Sequence, residues 1–527
     1  MPRINRIGHD KDHPTEQQVA DALPELAQEW AQAREVERAK LRQYGVYEII
    51  PNIPEGHHPV DTKWVYDVKR DQEGALIRRR ARKVGRGFTQ EKGVNYGETF
   101  SQMSRSETWR ILLVLAVQNN LAIRQWDVKA AYLQAPLHHE VYIKDLNEKG
   151  ETEYWKLHKA LYGLKQAGHE WYNTMRTIMT QRLTQSIGDP GCFYNKEGLI
   201  LSTHVDDMIA IAPSEKDLDE LEKAIETHVE LDKLGIPKKL LGMELNWEEG
   251  KVKLTQRTAI GNLAKEFEIT QIIVPSKSLP LNPESFKEPN DQEQISTLEL
   301  QKYQSLIGSL LYIARHTRPE ISIHVNLLGR RTSKASHNNM QAALQVLRYL
   351  ISTQADGLTI QKEVTMGEPI NIQGFADASY GGEQSKSQLG SLILLYRNPI
   401  TWSSRRQDTV AMSITEAEYI ACSETAKDIR WLQQLLEEVT QQHVPAVMHV
   451  DNEAAIKLTK TQTFHRRSRH IEHRHHFIRE MVDRNLIMMK GIAGKENPAD
   501  PLTKLLPMSQ LTEWTKRICS KTYSTNG

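Results

Sequence analysis

The segment "THVDDMIAIA" (residues 203–212) places two acids, Asp206 and Asp207, inside an otherwise apolar, strand-like run. A hairpin turn is one interpretation, because Asp tolerates turn geometry and the flanking apolar residues read as two short strands. A metal site is the other, in which a tight turn holds carboxylates at a sheet edge and divalent cations offset their mutual repulsion. The rest of the chain decides between them.

Length and composition narrow the class of protein. The 527 residues are too many for one core, and 39% hydrophobic with 26% charged residues is typical of a soluble globular chain. No stretch approaches the roughly 18 apolar residues of a membrane span, and the first residues lack the apolar core of a signal peptide. We therefore expect an intracellular protein with no membrane partner. Three scattered cysteines indicate neither a disulfide framework nor structural zinc.

Two strongly basic segments stand out against a net charge of +1: "IRRRARKVGRGF" (77–88) and "FHRRSRHIEHRHHFIRE" (464–480). Such clusters suit phosphate contacts, and a solvated basic face is the alternative for either one alone. The predicted nucleic-acid contacts are Arg80, Arg86, Arg466, Arg467, Arg469, His470 and Arg474.

The first half of the chain alternates strands and helices. Residues 15–43 have a helical pattern whose internal breaker is Pro24, and a strand-rich segment with a tip at 71–74 follows. The strand pattern "AIRQWDVKAAYL" then presents Asp127, and residues 214–235 have the pattern of one amphipathic helix. This alternation predicts an α+β sheet domain.

The acids fall into two sets, whose members lie at predicted strand ends and helix starts. If their strands are neighbours, Asp127 and Asp206 can bind two cations about 3.5–4 Å apart, with Asp207 as a supporting acid, which suits phosphoryl transfer. The second set begins near residue 366. Each of its members has an ordinary interpretation as a capping, turn or loop residue, but together they follow the order expected of a two-metal nuclease. The second set is Asp377, Glu418, Asp451 and Asp500.

Many stretches together resemble one known family, the copia-type LTR retrotransposon Pol polyproteins, in their reverse transcriptase plus RNase H portion. They occur in that family's order over roughly residues 25–507. They include "TKWVYDVKRDQEG", "WDVKAAYLQAPL", "LHKALYGLKQAGHEWY", "HVDD", "FADASYGG", "SITEAEYIA", "VDNEAAIKL", "RHIEHRHHFIRE" and "ENPADPLTK".

The resemblance implies an α+β fold, a right-hand (fingers, palm and thumb) reverse transcriptase followed by an RNase H-like α/β domain. We expect a helical lead-in at 1–54, fingers and palm at 55–245, a thumb or connection region at 246–365 with a linker near 275–297, the RNase H-like domain at 366–510 and a C-terminal tail at 511–527.

The resemblance also implies roles for individual residues. It makes Asp127, Asp206 and Asp207 the polymerase acids, and Tyr132 the aromatic residue that packs under the sugar and excludes ribonucleotides. In the nuclease, Glu416 competes with Glu418, and the motif "EYIA" favours Glu418. The remaining predicted nucleotide-binding residues are Lys69, Arg82, Gly163, Lys165 and Gln166.

The implied function is RNA-directed DNA synthesis with cleavage of RNA in RNA/DNA hybrids, using two Mg²⁺ ions per site or Mn²⁺ as a substitute. The implied partners are an RNA template, DNA primer and product, RNA/DNA hybrid, dNTPs, and the capsid and integrase of the same element. The implied location is the cytoplasm, in virus-like particles, and also the nucleus.

Three departures from the family pattern leave an alternative open. His204 stands where the family usually has Tyr, "FSQM" (100–103) replaces "FSPV", and Gly168-His169 replaces Pro-Arg. All three lie in the polymerase half. A decayed element copy that only binds nucleic acid, or that retains only the nuclease, is therefore the competing interpretation.

Overall fold

The computed structural model describes residues 13–70, 76–147, 149–269, 278–363, 368–381, 385–460 and 477–520. The helices are α1 (Glu16–Ala20), α2 (Pro24–Gln43), α3 (Ser106–Asn119), α4 (Ala131–Gln134), α5 (Ala167–Met179), α6 (Glu215–Glu226), α7 (Arg257–Glu266), α8 (Thr297–His316), α9 (Ser322–Gly329), α10 (His337–Ser352), α11 (Ile414–Thr440), α12 (Glu453–Lys460), α13 (Phe477–Asp483) and α14 (Met508–Thr515).

The strands form four sheets in the described part of the chain. They are β1 (Tyr47–Ile50), β2 (Val60–Arg70), β3 (Leu76–Gly85), β4 (Ala122–Val128), β5 (Tyr142–Leu146), β6 (Thr152–Leu157), β7 (Thr184–Gln185), β8 (Cys192–Tyr194), β9 (Ile200–His204), β10 (Asp207–Ala212), β11 (Leu231–Gly235), β12 (Lys239–Leu240), β13 (Met243–Glu248), β14 (Lys251–Thr255), β15 (Leu358–Gln361), β16 (Ile372–Ser379), β17 (Gln388–Leu395), β18 (Asn398–Arg406), β19 (Ala446–Val450) and β20 (Ile487–Gly491).

The first sheet, in the order β1-β6-β5-β2-β3, lies mostly in the region predicted as fingers and palm, and we call it the fingers sheet. Helix α2 packs on it, with Trp30 meeting Tyr66 edge to face at 5.2 Å between ring centroids. The predicted helix over 15–43 is two helices, because Pro24 lacks the N–H that a continuing helix needs and instead begins α2. Strand β1 pairs with β6, so the sheet starts before the predicted boundary at residue 55.

The second sheet, in the order β11-β4-β10-β9-β8-β7, lies in the same predicted region, and we call it the palm sheet. The prediction of one helix over 214–235 is wrong. Helix α6 ends at Glu226, and residues 231–235 form β11, which pairs antiparallel with β4. Pairing with the available edge of β4 outweighs the local helical pattern, a tertiary effect that local propensity does not contain.

The third sheet and helices α7 to α10 form the region predicted as thumb or connection. Its strand order is β12-β13-β14-β15, and β13 crosses the predicted boundary at residue 245. The last strand of this sheet follows α10, so the chain returns to the sheet after the helices. Part of the predicted linker, residues 275–277, lies outside the described residues, whereas Phe286 and Ile295 are buried in the core.

The fourth sheet has the order β18-β17-β16-β19-β20. Strands β16 to β18 are antiparallel, whereas β19 and β20 add in parallel, and the long helix α11 packs on β16. The predicted tail from residue 511 is helical and packed as far as Ser520, because Leu511 and Trp514 are buried against the domain. Among the described residues, no helix has both the length and the hydropathy of a membrane span.

Candidate active sites

The polymerase acids meet where β4 and the β9–β10 hairpin lie side by side. Asp127 on β4 is the direct partner of Asp207 on β10, and Asp206 occupies the turn of the hairpin. Val205 has φ +60°, which is a strained conformation for a β-branched residue. The segment of residues 203–212 is therefore a hairpin, and its turn brings Asp206 and Asp207 close to Asp127.

Hydrogen bonds fix the backbone of this strained turn. The indole Nε1 of Trp171 donates to the carbonyl of Val205 at 2.6 Å, and the amide of Val128 donates to the carbonyl of Asp206 at 2.8 Å. The side-chain amide of Gln125 donates to the carboxylate of Asp207 at 3.3 Å. The surrounding residues thus hold a conformation that the turn would not adopt by itself.

A large cleft of about 1310 Å³ opens above the hairpin. Asp127 and Asp206 line it, and Asp207 is not among the described lining residues. Asp207 therefore supports the turn through Gln125, whereas the other two acids face the cleft.

The opposite wall of the cleft is basic and carries an aromatic residue. Lys69, Arg80 and Arg82 line it from the two arms of the β2–β3 hairpin, whose tip at 71–75 lies outside the described residues. Tyr132, five residues after Asp127, also lines the cleft, and its ring meets that of Tyr162 edge to face at 5.7 Å. Acids, cations and a flat ring therefore face one space that is open to solvent.

Charge crowding marks the cleft as a site for cations. Burial, together with the charges of Asp206 and Asp207, raises the pKa of Asp127 to about 6. Burial and the charge of Asp206 likewise raise the pKa of Asp207. Oxygen ligands whose negative charges repel each other are the donors that Mg²⁺ and Mn²⁺ prefer.

Asp232 is an acid of this cleft that the sequence analysis missed. It lies on β11 directly opposite Asp127, lines the same cleft, and contributes to raising the pKa of Asp127. The signal was the segment "VELDKLG" (229–235), which has a strand-like alternation at its start. The mistaken helix over 214–235 concealed it.

Three of the predicted nucleotide-binding residues lie outside the described lining of the cleft. At Gly163, with φ +83°, a Cβ would lie 2.4 Å from the carbonyl oxygen of Gly85, so only glycine allows this close contact with β3. The ammonium group of Lys165 donates to the backbone carbonyl of Gln90 at 3.0 Å, and the side chain of Gln166 donates to the carbonyl of Asn95 at 2.9 Å. These residues hold the loop after β3 in place.

The basic contacts predicted from sequence divide in the same way. Arg80 lines the cleft, whereas Arg86 lines a separate groove on the fingers beside Trp64. Residues 464–476 of the second cluster lie outside the described residues, and its last four residues begin α13. Its predicted contacts are Arg466, Arg467, Arg469, His470 and Arg474.

Three of the acids predicted for the nuclease form a tighter group. One carboxylate oxygen from each of Asp377, Glu418 and Asp451 lies within 4.8 Å of the others. Asp377 is on β16, Glu418 is in the second turn of α11, and Asp451 directly follows β19. Parallel pairing of β16 with β19 is what brings the two strand acids to one edge of the sheet.

The structure distinguishes the acids of this cluster from neighbouring residues that stabilise helix starts. At the start of α11, Glu416 accepts a hydrogen bond from the amide of Met412 at 2.8 Å, so it stabilises the first turn of the helix. Glu416 lies outside the acid cluster. Asn452, and not Asp451, accepts from the amide of Ala455 at the start of α12. The structure therefore places Glu418 and Asp451 in the cluster without a capping role.

Burial makes this cluster energetically costly in the absence of a cation. Asp377 and Glu418 are only 1% and 5% exposed. Burial is the largest cause that raises the pKa of Asp377 to about 6, and burial with the charges of Asp377 and Asp451 raises the pKa of Glu418 to about 8. One Glu418 oxygen accepts from the amide of Ala378 at 3.3 Å, and the other is buried with no partner among the described residues.

Asp500 lies at the edge of the cluster, in the turn that follows β20. Its carboxylate pairs with the ammonium group of Lys504, and its charge contributes to raising the pKa of Asp377. The hydroxyl of Thr503 donates to the carboxylate of Asp377. Thr503 and Lys504 are not among the predicted site residues, although both stand in the same motif "ENPADPLTK".

The three departures from the family pattern each have packing partners. His204 lies edge to face with Trp109 at 6.3 Å, and its ring Nδ1 is 3.3 Å from the carbonyl oxygen of Ser104. His169 Nδ1 lies 2.7 Å from the carbonyl oxygen of Phe100, and Gln102 accepts from the hydroxyl of Tyr172 at 2.8 Å. The unusual side chains are built into the palm and leave its acids in place.

The fold and the two acid centres define a class of protein: a right-hand polymerase joined to an RNase H-like α/β domain. The solved structure of "the foamy viral protease-reverse transcriptase dRH in complex with ds DNA" has a similar fold, with a TM-score of 0.50 at 11% identity, over 89% of this chain and 68% of that one. The predicted fold class is confirmed.

Relatives identify the family. A family model described as reverse transcriptase (RNA-dependent DNA polymerase) matches residues 44–281. The Pol polyproteins of transposon TNT 1-94 from Nicotiana tabacum and RE1 from Arabidopsis thaliana are 32% and 31% identical over 94% and 90% of this chain. The Ty1-LR2 Gag-Pol polyprotein of Saccharomyces cerevisiae is 26% identical over 85% of this chain and 26% of its own length.

Over most of its length this chain is homologous to the Pol polyproteins of copia-type retrotransposons, and residues 44–281 match the reverse transcriptase family. The predicted family is confirmed. The chain covers 37% of the tobacco polyprotein and 32% of the Arabidopsis one, so it spans about a third of these relatives.

Proposed function

We propose that this chain copies RNA, and then DNA, into DNA from a primer 3′-hydroxyl, and that its RNase H-like domain cleaves the RNA strand of the resulting hybrid. The observation that carries the polymerase proposal is the cleft in which Asp127 and Asp206 face Lys69, Arg80 and Arg82. Acids on one wall suit cations, and cations on the other suit a triphosphate.

Both acid centres have the donor chemistry that a divalent cation needs. All the available ligands are carboxylate oxygens, which favour Mg²⁺ with Mn²⁺ as a substitute, and a buried Glu418 oxygen has no partner among the described residues. Asp127 and Asp206 would hold two ions in the polymerase. In the nuclease the predicted ligands are Asp377, Glu418, Asp451 and Asp500. Ions held by these acids would supply a lower proton affinity at the attacking oxygen and charge stabilisation at the leaving group.

The remaining groups of the cleft bind and orient the nucleotide. Lys69, Arg80 and Arg82 neutralise the triphosphate and direct it toward the acids. Tyr132 lies beside Asp127 on the route of the sugar, where its ring would collide with a 2′-hydroxyl and so favour dNTPs. The substrates are therefore an RNA or DNA template, a DNA primer and dNTPs, in an intracellular, particle-associated setting.

Two single substitutions test the proposal in one experiment. Primer extension on an RNA template and cleavage of an RNA/DNA hybrid are measured with Mg²⁺ for wild type, Asp206→Asn and Asp451→Asn. We expect Asp206→Asn to lose extension and keep cleavage, and Asp451→Asn to do the reverse. Loss of both activities in either variant, with the fold intact by circular dichroism, contradicts the two-site proposal.

The same assay tests the competing interpretation. A wild-type chain that cleaves hybrid but extends no primer would be a nuclease with a decayed polymerase. A chain with neither activity that still binds nucleic acid, with an affinity that falls steeply with salt, would be a binding remnant.

A further inference from the structure

The loop of residues 186–191 in the palm is held from one side by the nuclease helix α11. One oxygen of Glu438, near the end of that helix, accepts hydrogen bonds from the hydroxyl of Ser186 at 2.6 Å and from the amides of Ile187 at 2.9 Å and Gly188 at 3.3 Å. Trp431 on the same helix donates its indole N–H to the carbonyl of Gly188 at 2.8 Å. Convergent donors around one carboxylate form a strong, directional contact.

The other side of this loop is bonded to the strand that leads into the polymerase hairpin. The hydroxyl of Ser186 accepts from the amide of Asp189 at 3.0 Å, and the carboxylate of Asp189 accepts from the amide of Gly191 at 3.1 Å. The carbonyl of Gly191 then accepts from the amide of Thr203 at 2.9 Å and from its hydroxyl at 3.2 Å. Thr203 is three residues before Asp206.

Close packing leaves this connection little freedom. A Cβ on Gly191 would lie 2.2 Å from the backbone nitrogen of Ser104, and the amide of Ser104 donates to the carbonyl of Thr203 at 3.2 Å. Asp189 is 2% exposed and also accepts from the amide of Arg105 at 3.1 Å. A chain of hydrogen bonds therefore runs from the half-buried Glu438 through the buried Ser186 and Asp189 to the start of the hairpin.

The hairpin needs such support, because Val205 is strained and Asp206 is exposed in the turn. A turn of this kind keeps its geometry only if the residues on both sides are held. Trp171 and Val128 hold the turn itself, and Thr203 holds the strand before it. Loosening the loop of residues 186–191 removes the support of Thr203 first.

We propose that Glu438, in the RNase H-like domain, is a positioning residue for the polymerase site. Its carboxylate fixes the loop of residues 186–191 against Thr203, and through Thr203 it fixes the orientation of Asp206. The proposal rests on the proposed polymerase function of the same chain. Glu438 lies about 30 Å along α11 from Glu418, so it acts on the polymerase and leaves the nuclease acids undisturbed.

The test uses the full chain and compares Glu438→Ala, Glu438→Gln and Ser186→Ala with wild type. Glu437→Gln is the matched control, because the Glu437 carboxylate pairs with Arg430 and His443 inside the nuclease domain. Steady-state primer extension gives kcat and the KM for dNTP, hybrid cleavage reports on the nuclease, and hydrogen–deuterium exchange reports on the peptide spanning residues 199–212.

For Glu438→Ala we expect kcat for extension to fall roughly tenfold, less than the hundredfold that a displacement of about 1 Å can cause. The KM for dNTP should change less than about twofold, because the cationic arms of the fingers are untouched. Hybrid cleavage should stay at the wild-type rate, and exchange at residues 199–212 should become faster. Glu438→Gln should restore most of kcat, because its amide oxygen still accepts from the loop.

Wild-type kcat and unchanged exchange at residues 199–212 in Glu438→Ala would overturn the proposal. So would equal losses of extension and cleavage in both Glu438→Ala and Ser186→Ala, because they indicate general destabilisation. If wild type itself extends no primer, the proposed polymerase function fails, and exchange alone decides. Faster exchange in the Glu438 and Ser186 variants supports the connection to the hairpin, and unchanged exchange overturns it.

Discussion

The acids proposed for the polymerase and those proposed for the nuclease lie in different surroundings. Asp206 is exposed at the tip of a hairpin, above a cleft of about 1310 Å³. Asp377 and Glu418 are almost completely buried. One carboxylate oxygen from each of them and one from Asp451 lie within 4.8 Å of one another. The first centre is open to solvent and faces cationic side chains, whereas the second concentrates carboxylates at a buried edge of the sheet.

The two centres differ in what offsets the negative charge of their acids. In the polymerase cleft, Lys69, Arg80 and Arg82 lie on the facing wall and solvent screens the acids, so the pKa of Asp127 rises only to about 6. In the nuclease, the burial of Glu418 beside two other acids raises its pKa to about 8. The nuclease fold should therefore depend more strongly on bound cation than the polymerase fold does.

The largest expected effect comes from neutralising an acid of the polymerase cleft. Asp127→Asn should lower primer extension by roughly a thousandfold or more, because it removes a proposed cation ligand. Asp232→Asn is the matched control in the same cleft, since Asp232 pairs with Lys129 at 3.4 Å and should cost only a few-fold. Single-turnover extension measures both, and equal losses would show that the cleft needs total charge and not a specific ligand.

The next effect is on stability and its dependence on pH. The pKa of Glu418 is raised from 4.5 to about 8, so the metal-free folded protein keeps a proton that the unfolded chain releases between these values. The free energy of unfolding of metal-free protein should therefore fall as pH rises from 4.5 to about 8, by on the order of 4 kcal/mol. Urea denaturation at several pH values with a chelator measures this slope.

Glu418→Gln should remove the part of that slope between pH 6 and about 8, because the pKa values of Asp127 and Asp377 are raised only to about 6. Glu416→Gln should keep it, because Glu416 serves the helix start. Mg²⁺ should stabilise wild type most at high pH, where it replaces the proton on the acid cluster. If the free energy of unfolding of chelated wild type stays constant or increases with pH, the pKa of Glu418 is not raised in the folded protein.

A smaller effect concerns sugar selection in the open cleft. Tyr132→Ala should raise the incorporation of ribonucleotides relative to deoxyribonucleotides by roughly ten- to a hundredfold, because the ring that meets the sugar is gone. Tyr132→Phe keeps the ring and the edge contact with Tyr162, so it should keep the discrimination. Competitive incorporation of rNTP and dNTP measures the ratio, and an unchanged ratio in Tyr132→Ala would place selection elsewhere.

The smallest expected effect sharpens the contrast at the nuclease edge. Lys504 pairs with Asp500 and lies near Asp377 and Asp451, so its positive charge opposes a cation at the cluster. Lys504→Gln should lower the Mg²⁺ concentration for half-maximal stabilisation by roughly two- to threefold. Lys427→Gln, on the exposed side of α11 where it pairs with Glu424, is the control that should leave this concentration unchanged.

Local signals predicted much of both centres. Asp206 and Asp207 are recognisable because two apolar strands flank them, and Asp377 and Asp451 because each lies near the end of a strand or directly after it. The strand of residues 231–235 was not recognisable, because its few residues adjoin a strong helical pattern and its identity depends on pairing with β4. Asp232 escapes prediction for the same reason. Pro24 is visible in the sequence, but only the structure shows that it begins a separate helix, α2.

The sequence by itself determined the chemistry of this protein: the acids in two ordered sets, the cations of the β2–β3 arms, Tyr132 after Asp127, and the family motifs that connect them. These features are local, and residue type and spacing express them directly. Only the tertiary structure decided that Asp207 supports the turn while Asp206 faces the cleft. It also decided that Glu438 reaches Ser186 across 252 positions of the chain, because pairing and docking between distant segments leave no local periodic signal.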